Sequence, residues 1–546
     1  MKLFRQICFL LLVSSFVFGQ SAPNNTSTDD SRISNQIKTL QDAIASQQQQ
    51  IEQLRQELAA RKQAESSPRL ANAALTTPST TSTFQETEKP KESPLSFRIG
   101  GTDFTPGGFV DFTSVFRSTN TGSVISTGFG GIPFATSANA HLTEFRATGQ
   151  YSRINLKVAG KYGANNVTGY IETDFNGNDA ANVFVGTNPH TMRLRLYWLD
   201  LKRGQWEFLG GQSWGLLTPN RNGLSPAPSD LALTFSEDAN IHVGIHHTRQ
   251  GTFRATWHPN DHFAWALGIE NPQQFTNGEV TVPTAFNAVL GNQLDGGATT
   301  GVPNASPDLA TKFSYDTTFG GGKKFHFEGG GMFTTAKVAV QPTGSATNPF
   351  VKHTSVGEGV ESAFNIEFIK NVRFLANGMY GNGIGRYLIG LGPEYVVRPI
   401  GISPTSFDVD TSMVHSGGGT AGFEFQLGSK TQIGTYYGGE YFQRNSFADL
   451  TAANTATAIS CAPGQPVLNK PCIGFGGTNS ANSNNRAIQE GTIDWIQTFW
   501  KNPQYGSVLV VMQASYLTRA PWFVAANQPK NAHLTMGYVG LRYVLP

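Results

Sequence analysis

From Leu95 to Pro546 the chain is written as short runs in which apolar and polar residues alternate one by one, separated by Gly, Asn, Asp and Pro. Alternation of period two marks a β-strand whose faces meet different surroundings, because successive side chains leave the pleat on opposite sides. Ile154, Leu156 and Val158 alternate with Arg153, Asn155 and Lys157, and Gly169, Ile171, Thr173 and Phe175 alternate with Tyr170, Glu172 and Asp174. Met192, Leu194, Leu196 and Trp198 then stand against Arg193, Arg195 and Tyr197. Later come Phe263, Trp265, Leu267 and Ile269, next Phe364, Ile366 and Phe368, and then Phe423, Phe425 and Leu427, each set with small or polar residues between.

A soluble β-sandwich alternates too, so the position of the charges has to decide. Here charged residues occupy the polar face in mid-strand among small or polar neighbours, as a wet lumen requires, while the other face is rich in Phe, Trp and Leu. Trp198, Trp257 and Trp500 suit the aromatic girdles at a membrane surface. The composition agrees: 60 Gly and 38 Phe in 546 residues with only 14% charged, where soluble domains average about 25% charged and about 7% Gly. The fold class expected is an all-β transmembrane β-barrel. About 450 residues at roughly 25 to 30 per strand and connection give about 16 antiparallel strands, with 18 as the alternative. Short turns such as 163–166 against long connections such as 218–231 and 452–483 fit periplasmic turns and external loops.

The rest of the chain precedes the barrel. Lys2 and Arg5 before an apolar run from Ile7 to Phe18 read as a secretory signal peptide, residues 1–19, too short to span as a helix. A polar spacer, 20–30, leads into 31–62, where Ile33, Ile37, Leu40, Ile44, Gln47, Ile51, Leu54 and Leu58 are spaced by alternating steps of four and three. That is the seam of an α-helical coiled coil, with Ile37, Leu40, Ile44, Ile51, Leu54 and Leu58 as its oligomerisation contacts. Residues 63–94, rich in Ser, Thr, Pro and Ala, form a linker, and 95–546 form the barrel. Cys8 falls in the leader, so Cys461 and Cys472 are the thiols left to pair after export.

The segments Tyr151–Val158, Gly169–Phe175, Met192–Trp198 and Gly211–Trp214, with the order signal, coiled coil, linker, barrel, resemble the DcaP-like porin family. The resemblance implies a bacterial outer-membrane location, a homotrimer, a periplasmic coiled coil, and passive diffusion of small anionic or polar solutes such as dicarboxylates. Arg153, Arg193 and Arg195 match its lumenal arginines, with Gln212 and Trp214 near the pore wall. Gly215 to Phe235 departs from the family's acidic loop.

A pore selects by its radius and by the sign of its lining charge. Arg153, Lys157, Arg193, Arg195, Tyr197 and Arg254 are expected to line it, with Glu172 and Asp174 opposite the cationic row. The other reading of these charges is that they pair with one another in the wall. The partners expected are membrane lipid and lipopolysaccharide, with peptidoglycan or a periplasmic protein at the coil. A net charge of +2 gives no signal for nucleic acid. An adhesin or structural barrel anchored to the cell wall through the coil is the alternative; a gated transporter would need a folded plug domain.

Enzymatic signals are weak, and no cofactor or metal is read. His415 and Ser416 are adjacent on a strand and so point apart. Gly320 to Lys324 lacks phosphate-loop spacing and reads as a hairpin turn. His242, His246 and His247 read as lumenal or loop residues.

Overall fold

The computed structural model describes residues 93–177, 191–228, 231–235, 241–291, 293–294, 306–390 and 392–546. The leader, the spacer, the helical segment with its seam from Ile37 to Leu58, and the linker up to residue 92 lie outside the described residues.

The alternating segments become the staves of one closed wall. In chain order they are β1 (Thr102–Arg117), β2 (Glu144–Thr148 continued by Arg153–Tyr162), β3 (Asn165–Asp174) and β4 (Arg193–Arg203). Next come β5 (Trp206–Trp214), β6 (Arg249–Trp257), β7 (Phe263–Glu270) and β8 (Asp308–Phe319). The far wall is β9 (Lys323–Val340), β10 (Val351–Ile369), β11 (Val372–Asn382) and β12 (His415–Leu427). The last quarter is β13 (Thr431–Phe442), β14 (Asn485–Asn502), β15 (Gly506–Pro521) and β16 (Ala532–Val544). Each strand pairs antiparallel with the next, and β16 closes on β1 through Phe109↔Val544 to Arg117↔Met536. The halves of β2 both pair with β1, and Phe97–Ile99 only folds back on its start, so the wall among the described residues has sixteen strands. A closed sheet has no edge, which lets it stand in hydrocarbon with every ladder amide satisfied. Among the described residues no helix is long and apolar enough to cross a membrane.

The outer face is greasy: Phe112, Phe145, Phe253, Leu267, Val360 and Leu541 are each half or more exposed. Their neighbours in sequence, such as Asp111, Arg254, Ala266, Glu361 and Arg542, are buried inside. In β7, Phe263, Trp265, Leu267 and Ile269 are outside, and in β16 Val539, Leu541 and Tyr543 are, as their alternation requires. Turns of two to five residues, 163–164 to 503–505, mark one end of the barrel together with the start of β1 and the end of β16. Gly320–Gly322 is one of these turns. The other end carries the long connections: 118–143, 215–248, 271–307, 383–414 and 443–484 are the largest that pack together. Cys461 and Cys472 form a disulfide within the last of these.

Register shifts interrupt the alternation in β10 between Glu367 and Ile369 and at two places in β14, but the one in β4 bears on the lumen. Glu172 pairs with Leu196 and Thr173 with Leu194, so Arg195 is an extra residue, a β-bulge. The bulge resets the parity of β4. Arg193 and Arg195 point inward as expected, but Tyr197 pairs with Ile171 on the outer face and is 44% exposed, so it does not line the lumen. Trp198 points inward and stacks on Tyr170 at 5.2 Å, which removes it from the outer girdle. Leu196, buried, changes face with it.

Candidate functional site

The lumen is built from the inward residue of each strand pair and from chain that enters it between β5 and β6. The described parts of connection 215–248 enter the interior after β5 and are held by inward residues from β7 round to β15. Leu216 N donates to Glu270 Oε1 of β7 at 2.6 Å, and Asn220 N to Glu328 Oε1 of β9 at 2.9 Å. Arg221 forms a two-pronged pair with Glu424 of β12. Leu233 N then donates to Tyr436 Oη of β13, and Phe235 N to Gln513 of β15. On the return, Val243 N donates to Glu490 Oε2 of β14, Gly244 N to Glu440 Oε1 of β13, and His246 stands 3.5 Å from Glu361 of β10.

This has a simple physical cause. Backbone amides that leave a sheet lose their ladder partners and must be satisfied elsewhere, and an inward carboxylate accepts them with charge-assisted bonds. The wall also opens space for the loop. At Gly438 of β13 an added Cβ would collide with Val243 O, and at Gly244, whose φ of 91° suits only glycine, it would collide with Gly419 O. Connection 383–414 enters as well. Tyr387 is 1% exposed, and Ile389 N and Gly390 N donate to the same Glu440 at 2.9 and 2.7 Å.

Of the ion-pair groups in the lumen, two are each built on three neighbouring strands. On β8 to β10, Lys312 Nζ lies 2.8 Å from Glu328 and 3.8 Å from Glu361, and His326 bridges Glu328 and Asp316. The side chains of Lys312, Glu328 and Glu361 are 0% exposed beneath the inserted loop. On β2 to β4, Arg195 binds Glu172 at 2.8 Å and Asp174 at 3.0 Å, Arg193 binds Asp174 at 2.7 Å, and Arg153 stands 3.8 Å from Glu172. Three guanidinium groups and two carboxylates thus meet on this wall among the described residues. It also keeps contact with solvent: the Arg193 side chain is 30% exposed, and Asn155 and Lys157 are half-buried.

The placement corrects part of the expectation. Glu172 and Asp174 do not face the arginines across a channel; β3 lies between β2 and β4, so cation and anion are neighbours on one wall. Arg254 points inward, yet it binds Glu207 at 3.1 Å and donates to Leu224 O, so it fastens the inserted loop and is buried by it. His242 and His246 lie in that loop, fully buried, His242 being 3.6 Å from Glu490. His415 is exposed on the outer face and Ser416 buried inside, so they do not meet. Sequence reasoning missed Lys312, Arg373 and Arg542, although the alternation of β8, β11 and β16 carries the signal that points each inward.

No protein-family model matches the chain, and no curated protein does. Among solved structures, an anion-selective porin from Comamonas acidovorans is 10% identical with a TM-score of 0.42, covering 81% of this chain and 100% of that one. OmpF of Salmonella typhi is 11% identical, TM-score 0.42, covering 83% and 100%. The outer membrane channel DcaP of Acinetobacter baumannii, 14% identical, aligns with a TM-score of 0.52 over 82% of this chain and 98% of its own. In fold, therefore, this protein is similar to the DcaP channel across nearly the whole of that structure.

Proposed function

We propose that the protein is an outer-membrane porin, a passive diffusion channel for small hydrophilic solutes that favours small anions such as dicarboxylates. The observation that carries this reading is the split of the lumen. Loop 215–248 is held by inward residues from β7 round to β15, while the wall of β2 to β4 carries Arg153, Arg193 and Arg195, of which Arg193 keeps contact with solvent. An arginine fork suits a carboxylate and stays charged at any working pH, so a solute carboxylate passing the solvent-exposed edge of Arg193 meets a matching donor. Assembly as a trimer, a signal peptide on 1–19 and a periplasmic coiled coil on 31–62 belong to the same proposal.

Reversal potentials in a planar bilayer under a salt gradient test it. Anion preference is expected, and Arg193→Gln should move the reversal potential toward the cation side. A cation-preferring wild type would overturn the selectivity. The inward filling by 215–248 and 383–414 favours, as second reading, a closed structural barrel or adhesin; insertion without current would establish that instead.

A further inference from the structure

Among the long connections lies a cavity of about 550 Å³, within the range of roughly 300–1,000 Å³ typical of small-molecule sites. Its lining comes from connections 118–143, 271–307, 383–414 and 443–484 and from the ends of β13, β14 and β15. Two ionisable residues line it, Arg519 and Glu279. Arg519 is 5% exposed, and its hydrogen-bond acceptors are all neutral: Ile132 O, Asn482 O at 2.8 Å and Asn485 Oδ1 at 3.0 Å. Its Cζ sits 4.4 Å from the centre of the Phe134 ring. Nη2 makes no hydrogen bond among the described residues, and no carboxylate stands at ion-pair distance. Among the described residues Glu279 accepts one side-chain bond, from Asn484 Nδ2 at 3.0 Å, and has no cation at that distance. The rest of the lining combines apolar side chains, Phe129, Phe442, Phe475 and Ile389, with hydroxyl and amide side chains and the backbone of the glycine-rich segment 128–131.

Burying a charge without its counter-charge is costly. Elsewhere in this barrel buried arginines have carboxylates, as Arg117, Arg195, Arg386 and Arg542 do. We propose that this cavity is a binding site for zwitterionic solutes with an apolar side chain, the class of α-amino acids and short peptides. The solute's carboxylate takes the open edge of Arg519, its ammonium takes Glu279, and its side chain lies among the phenylalanines. The site is separate from the wall charges of β2 to β4, and it stands or falls apart from ion conduction.

The test is calorimetric titration of the refolded full chain in detergent with the dipeptide Ala-Phe, its N-acetyl derivative and its C-terminal amide. Each capped form should bind roughly tenfold to hundredfold more weakly, the size of one lost charge-assisted hydrogen bond. Glu279→Gln should erase the difference between free and acetylated peptide while keeping that between free and amidated. Arg519→Gln should do the reverse, and because Arg519 also holds Ile132 O, the loop variant Glu279→Gln carries the test if it misfolds. Equal affinity for all three peptides, or no binding by wild-type barrel whose heat-modifiable band is intact, overturns the proposal. Failure of the channel reading would show separately, as absent current in potassium chloride.

Discussion

Glu440 of β13 holds two different inserted segments at once, which makes it the sharpest handle on whether the interior filling is a real constriction. Its Oε1 accepts from Gly244 N at 3.1 Å and Ile389 N at 2.9 Å, and its Oε2 from Gly390 N at 2.7 Å. Glu440→Ala strands three buried donors, each costing about 1–3 kcal/mol. Water entering the space left by the carboxylate recovers part of that, and the buried charge no longer has to be desolvated. The net expected is about 2–4 kcal/mol against the docked arrangement, a shift of roughly thirtyfold to a thousandfold at 1.4 kcal/mol per factor of ten. The sheet ladder is untouched, so the barrel itself should keep its heat-modifiable band. Single-channel recording should reveal added openings of larger conductance, and trypsin should cut after Arg386, which is buried in the wild type. Glu440→Gln keeps one oxygen able to serve two of the three amides, so its effect should be clearly smaller. An alanine variant with wild-type current and a wild-type tryptic pattern would refute the view that wall carboxylates hold these segments in the lumen.

Other outcomes follow from the same geometry. Tyr197→Arg should destabilise the barrel in vesicles by up to about 2–4 kcal/mol in urea titration, because the bulge turns this residue to the outer face; the inward Asn155→Arg should be tolerated, and the opposite ranking would refute the reset parity. Lys312→Met leaves Glu328 and Glu361 buried beside one another, a loss of about 3–5 kcal/mol for a broken buried pair, visible as a lower urea midpoint. Reducing Cys461–Cys472 should loosen only connection 443–484, by up to about 3 kcal/mol; protease should enter there while current and barrel band stay unchanged.

Much of the wall was legible in the residues themselves. Phe263 to Ile269 and Val539 to Tyr543 read directly as outer faces because the pleat forces neighbours apart, a rule that needs only local sequence. The turns at Gly163 and Gly320, the sixteen strands and the pairing of Cys461 with Cys472 were read from glycine placement, length and export. Tyr197 and Trp198 were assigned to the wrong faces because one extra residue, Arg195, reverses a strand's parity and leaves no mark in its composition. The interior lay further beyond reach. Connection 215–248 has no period, and its anchors lie far along the chain, Arg221 meeting Glu424 across 203 residues. The sequence alone decided which side chains face outward wherever a strand runs without a bulge, since that follows from the strand's own geometry. Only the closed tertiary structure decided which inward carboxylates meet arginines and which meet stray amides, because those contacts exist only once opposite walls are brought around the same loop.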